Sequence, residues 1–298
     1  TADLAQVTTA AMAAISTAAL AGLSTAQISK LGTSQVSGLT SDQVAVLSTA
    51  NVNALTTTQV SNLTSVQLAA LTSAQAKAIG TAQMAALGTA QINKLNTDQM
   101  GALTASQIKA ITTDGLVALG SDQIAAISSA GITGLTTDQV VALTTTQMDK
   151  LTTGQMAALT SAQVGALETR DLNKLTSDQV GAITTGSLRG LTTAQVAALG
   201  TAQLSSLTTG QLVSMTTASV AALTTAQTVA LTTDQVAALS TDQVVALTTD
   251  DVTNLSSSML NALTVFDKVT STQINSLTTK QFAALSTDQI VALGTTQF

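Results

Sequence analysis

Large aliphatic residues return at a fixed interval along this chain. A Leu, Ile, Val or Met stands every eight residues from Val7, Ile15 and Leu23 through Met215 and Leu223 to Leu263. The series then resumes two residues early at Val269, Leu277, Leu285 and Leu293. A second apolar residue usually lies five places after each anchor, as Val236 does after Leu231. Thr, Ser, Ala, Asp and Gln fill the places between. An internal repeat this dense decides the architecture before any local propensity is weighed.

The octad Leu231-Thr232-Thr233-Asp234-Gln235-Val236-Ala237-Ala238 shows what one unit encodes. With Leu231 as position one, Thr232 stands where a helix N-cap belongs, and Gln235, three residues later, is its capping-box partner. Leu231 and Val236 hold the two places of a hydrophobic staple. Asp234 falls in the first turn, where a carboxylate opposes the positive end of the helix dipole. Ala237 and Ala238 continue as good helix formers. Leu239 ends this unit and opens the next, because Ser240 and Gln243 repeat the cap and its partner.

The pattern predicts one helix of under two turns per octad, and so an all-α solenoid: a tight superhelix of very short helices. One continuous α-helix would rotate its apolar stripe by about 80° per octad and form no seam. A β-solenoid needs inward residues an even number apart, whereas positions one and six are an odd number apart, and Ala and Gln are weak strand formers. Disorder does not suit a chain with 45% hydrophobic and 9% charged residues.

Three regions are expected. Residues 1–22 are degenerate N-terminal repeats, with Ala11 and Ala19 in place of the box Gln. Residues 23–262 are the regular octapeptide solenoid. Residues 263–298 are phase-shifted C-terminal repeats, reset by the six-residue unit Leu263-Thr264-Val265-Phe266-Asp267-Lys268. Within the regular part Ala76 and Thr228 stand at position six, and Gly115, Gly131, Asp171, Ser187, Ser219 and Met259 at position five. Glu168 takes the place of a cap, while Gly32, Gly80, Gly88, Gly120 and Gly200 are acceptable N-caps. Phe266, Phe282 and Phe298 fall at sixteen-residue spacing. They either replace Val in the core or line up as an apolar ridge, which makes them the candidate self-assembly contacts.

The chemistry of the chain narrows its function. Net charge is −6, from 10 basic and 16 acidic residues, and the basic ones are scattered. That excludes the concentrated Lys and Arg that nucleic acid requires. Ten Asp residues at position four, Asp42, Asp98 and Asp138 among them, match the helix dipole. One per octad does not supply the converging oxygens of a calcium loop. Cys, His, Trp, Tyr and Pro are absent, which removes disulfides, thiolate or imidazole metal sites and nucleophilic triads. No phosphate-binding glycine loop occurs. The expectation is a protein without catalysis, cofactor or metal. No apolar run nears the roughly 18 residues of a spanning helix, so no membrane insertion is expected. Opening at Thr1 inside the repeat suggests a processed chain or a segment of a longer one. A mean hydropathy of +0.39 points to lateral contacts between copies.

Leu135 to Leu143, reading Leu-Thr-Thr-Asp-Gln-Val-Val-Ala-Leu, resembles the opening helix of a TAL-effector repeat. The remainder of that longer unit, with its base-reading loop, has no counterpart here, so DNA binding does not carry over. More extensively, the whole chain resembles the Leu-Thr-Thr-x-Gln-Val-Ala-Ala octapeptide tracts of very large secreted bacterial surface proteins of adhesin- or haemagglutinin-like kind. The resemblance implies an extracellular or cell-surface location and a structural role, and transfers no individual functional residue. The expected function is a structural repeat protein, a self-assembling filament subunit or adhesin shaft whose partner is itself. The alternative is a binding solenoid for a peptide or glycan polymer. The regular Thr and Ser rows add O-linked glycans, or an ice surface, as further candidate partners.

Overall fold

A computed structural model of the chain describes residues 7–294 and residue 297. Among the described residues the chain forms 35 short α-helices, numbered in order from α1 (Thr9–Ala14) to α35 (Thr287–Ala292), and no strand. One 3-10 turn, Phe266–Lys268, interrupts the series between α32 (Ser257–Ala262) and α33 (Ser271–Ser276). The fold is an all-α solenoid with one helix per octad.

The caps form as the sequence predicts. The Gln235 N–H donates to Thr232 Oγ1 at 3.1 Å, and Gln235 Oε1 accepts from the Thr232 N–H at 2.9 Å. Where Gly is the cap the second bond survives alone, as between the Gly200 N–H and Gln203 Oε1 at 2.7 Å. At Glu168 no side-chain cap bond forms. Thr232→Ala is therefore expected to cost about 1 kcal/mol and Thr232→Gly only a few tenths. Amide hydrogen exchange through α29 (Thr233–Ala238) would resolve the two locally.

The helices are shorter than seven residues, spanning four, as in α3 (Thr25–Ile28), to six, as in α29. The backbone of position one explains this. Leu239 has φ −54° and ψ 133°, and the next cap, Ser240, has φ −70° and ψ 163°. Two extended residues thus redirect the chain between helices. The Leu239 N–H closes the last turn on the Val236 carbonyl at 3.2 Å. Among the described residues none has positive φ, so the helices end without the left-handed glycine that commonly terminates a helix.

The chain divides into two compact units, Thr1–Ala158 and Leu159–Phe298. Within each, a helix packs mainly on those three before and three after it. In the first unit α12 (Thr97–Ala102) lies against α9 (Ser73–Ala78) and α15 (Ser121–Ala126). In the second α27 (Thr217–Ala221) lies against α30 (Thr241–Ala246). Positions one, five and six turn inward, and Leu231, Gln235 and Val236 are all buried. The aliphatic pair was legible in the sequence. The burial of the Gln was not.

Candidate functional site

The repeated polar feature of the interior is the Gln at position five, which does more than complete a capping box. Gln99 is 0% exposed. Its Oε1 accepts from the Asn96 N–H at 2.7 Å, while its Nε2 donates to the Leu68 carbonyl at 2.9 Å and the Leu71 carbonyl at 2.5 Å. Gln75 repeats this on Val44 and Leu47, Gln155 on Ile124 and Ile127, and Gln227 on Val196 and Leu199. The carbonyls reached lie 31 and 28 residues earlier. The first stands in the last turn of a helix and also accepts the N–H that closes it, as Leu68 does from Leu71 at 3.2 Å. The second belongs to the C-cap residue, whose carbonyl has no donor within the helix. Each Gln therefore closes the start of its own helix and the end of one in the turn below. Only an amide offers an acceptor and two donors together.

These bonds also fix the pitch of the coil within a unit. Gln99 of α12 reaches the end of α8 (Ser65–Ala70), the fourth helix back, whereas α12 packs on α9, the third. One turn takes more than three octads and fewer than four.

Two octads without the Gln keep the link in altered form. Asn51 Nδ2 reaches the Leu23 carbonyl at 3.0 Å. Ser187 has a shorter arm, and its Oγ meets the Leu159 carbonyl directly at 2.6 Å. The same octad carries Gly190, where an added Cβ would lie 1.9 Å from the Ser161 carbonyl oxygen. Gly131 and Gly134 repeat the pairing, with a Cβ on Gly134 falling 2.0 Å from the Ala105 oxygen. In both octads a small residue at position five lets the turns approach, and glycine at position eight leaves room for it. At Asp171, 1% exposed, the neighbouring Arg170 guanidinium lies 3.6 Å from the carboxylate and 2.5 Å from Glu168.

The phase reset is absorbed in the same way. Gln273, beyond the six-residue unit, donates to the Val244 and Leu247 carbonyls at 2.9 and 2.8 Å, now 29 and 26 residues back. Two residues are gone from the path and the link is kept. Phe266, in the 3-10 turn, is 3% exposed and fills the interior there.

That placement separates the Phe residues proposed as self-assembly contacts. Phe266 is core, whereas Phe282 in α34 (Thr279–Ala283) is 40% exposed, so these two do not share one exposed ridge. Their equal spacing misleads because Phe266 sits at position four of a shortened unit and Phe282 at position six of a full one. Phe298 lies outside the described residues. Phe282 borders a hollow of about 510 Å³ lined by Ile274, Asn275, Leu277, Thr279 and Ala283. Ile290 at 41% and Val291 at 78% are exposed nearby in the sequence.

Among the described residues no cluster of acidic side chains could hold a metal ion. No helix among them is long and apolar enough to cross a membrane. The position-four Asp residues sit in first turns, as Asp42 and Asp234 do.

The phrase Ala222-Leu223-Thr224-Thr225-Ala226-Gln227 contains the aliphatic anchor, cap, first helical turn and cross-turn Gln in six residues. It is also the signature of a known repeat. The model of the ALTTAQ repeat matches residues 12–49, 76–113, 95–129, 116–153, 148–185, 172–209, 180–217, 207–241 and 267–295, well over half of the chain. The chain belongs to the ALTTAQ repeat family. No curated protein matches it. In ALTTAQ terms the structure gives the final Gln its reason, since it ties one turn of the coil to the next. The phase-shifted segment matches as well, through residues 267–295.

Proposed function

We propose that this ALTTAQ repeat protein is a non-catalytic structural element, the shaft of an extracellular fibre or the subunit of a filament. The observation that carries this reading is where the polar chemistry is spent. The buried amides bind the chain's own backbone, turn after turn, and among the described residues no group of three or more acidic side chains converges. Most of the outward positions are small Thr, Ser and Ala residues with dispersed charge, a surface suited to length rather than to a ligand. The resemblance to octapeptide tracts of secreted bacterial surface proteins supports an extracellular setting. The hollow beside Phe282 supports contact between copies, because Phe282 and Ile290 expose at position six the apolar side chains that the preceding octads bury.

Electron microscopy of the purified chain in vitreous ice tests the reading. Uniform filaments with a helical repeat, lost on Phe282→Ser, are the expected result. Dispersed particles at all concentrations would rule out the filament, leaving a spacer. Saturable binding of a peptide or glycan polymer by such particles would replace the structural reading with a binding one.

A further inference from the structure

Near-identical octads leave open which turn packs on which. After a slip of one octad, a position-five Gln meets equivalent carbonyls and a position-six aliphatic meets equivalent neighbours. The hazard is real in this coil, because one turn lies between three and four octads. The Gln arm already reaches the fourth helix back while the backbone packs on the third. The regular octads cannot tell these registers apart, so the distinction has to come from residues that break the pattern.

Two such residues meet. Thr228, in α28 (Thr225–Val229), puts a hydroxyl at position six and is 0% exposed. Asp251, in α31 (Thr249–Asn254), puts a carboxylate at position five and is 1% exposed. Each alone is a misfit, a polar group in an apolar slot and a charge in an amide slot. Together they fit: Thr228 Oγ1 donates to Asp251 Oδ1 at 2.9 Å across the contact between α28 and α31. Asp251 Oδ2 accepts from the Thr248 N–H at 3.1 Å and the Thr248 hydroxyl at 2.6 Å.

We propose that Thr228 and Asp251 form a register key: the Thr228 hydroxyl can fall back on the Thr224 carbonyl of its own helix, 3.2 Å away, but Asp251 Oδ1 finds its donor only when α31 packs on the third helix before it. If α31 packed on α27 or on α29, Asp251 would face Val220 or Val236 instead. A carboxylate would then be buried one donor short, against an apolar side chain, at a cost that an amide in its place would not incur. A single buried polar residue sets register between coiled-coil helices by the same means. The pair also carries a loss that local packing does not explain. Asp251 has no N–H to give to the turn below, so it forgoes the link that the Gln of other octads makes.

The chain has no Cys, so spin labels can be placed on a clean background. Ala226 of α28 and Asp250 of α31 are both exposed and hold the same octad position in the two packed helices. Labels at Ala226→Cys and Asp250→Cys report that packing as an electron-electron distance. They are compared in the parent and in Thr228→Val/Asp251→Gln after unfolding in guanidinium and refolding. The double variant carries the residues common at these positions, and circular dichroism checks that it refolds to parental helicity. The expected result is one narrow, short distance in the parent and a second, longer population in the double variant. A single narrow distance in the double variant would overturn the proposal, as would two populations in the parent.

Discussion

Gln99→Glu destabilises the first unit more than Gln99→Ala does, although Glu is nearly the same size and also completes capping boxes. The carboxylate still accepts from the Asn96 N–H, but the donor serving the Leu68 and Leu71 carbonyls becomes a second oxygen. Lone pairs then face lone pairs in a site that is 0% exposed, and an uncompensated buried charge costs about 3–5 kcal/mol. Gln99→Ala leaves the Leu71 carbonyl without its donor, while Leu68 keeps the Leu71 N–H, a loss of about 1–3 kcal/mol plus a small cavity. The two variants also differ in pH dependence. Burial against carbonyls raises the folded-state pKa of the new carboxyl above the free Glu value of about 4.3. The deficit of Gln99→Glu relative to the parent is therefore smallest below that pH. It grows as pH rises through the folded-state value and is constant above it. Denaturant unfolding of both variants between pH 3 and 8, with hydrogen exchange at the ends of α8 and α12, reads the effect. A deficit for Glu no larger than for Ala at neutral pH would mean that the amide donor does not tie the turns together.

The difference between Glu and Gln also marks where the sequence could be read and where it could not. A Thr three residues before a Gln is a local signal, and it placed the caps and helix starts, because a capping box is closed within four residues. The spacing of Leu231 and Val236 likewise placed the core. The second half of the Gln's role is invisible locally, since its partners lie 28 and 31 residues away. That separation is set by the pitch of the coil, which no single octad states. Position five is Gln almost throughout, but the chain holds a single Glu, Glu168, and Asp171 and Asp251 stand at that position, so composition alone does not separate a capping acceptor from a donor.

The departures from the pattern follow the same logic. Thr228 and Asp251 look like unrelated drift until the coil brings them within 2.9 Å. Phe266 reads as one of an evenly spaced trio, but the shortened unit turns it into the core. A six-residue unit looks like a break in the solenoid. The coil tolerates it because each turn is held by side-chain arms on backbone carbonyls. Gln281 makes the same three-carbonyl contact as regular octads, with offsets of 26 to 29 residues. Repeat arrays couple mainly to their neighbours, so a local change of path need not propagate.

The largest purely steric effect is expected at Gly190. Its φ is not positive, since no described glycine has positive φ, so backbone strain does not reserve the position for glycine. What reserves it is the turn below: a Cβ there would lie 1.9 Å from the Ser161 carbonyl oxygen and 2.7 Å from its carbon. Backbone cannot swing aside as a side-chain tip can. Gly190→Ala must push the turns apart, and doing so stretches the 2.6 Å bond between Ser187 Oγ and the Leu159 carbonyl. The expected loss is about 3 kcal/mol, the upper part of the range for overpacked sites. Gly186, in the same octad, supplies the control, because a Cβ there meets nothing within 4 Å. Gly186→Ala lies inside α23 (Thr185–Leu188) and is expected to stabilise by roughly 0.5–1 kcal/mol through the better helix propensity of Ala. Two Gly-to-Ala changes four residues apart should thus move stability in opposite directions, read by denaturant unfolding of the second unit in the full chain. If Gly190→Ala were neutral, the turns could not be as close as Ser187 requires. A companion change, Ser187→Gln, tests the coupling from the other side. The longer arm needs the wider spacing found elsewhere, so it should relieve much of the Gly190→Ala penalty while being unfavourable beside Gly190 itself.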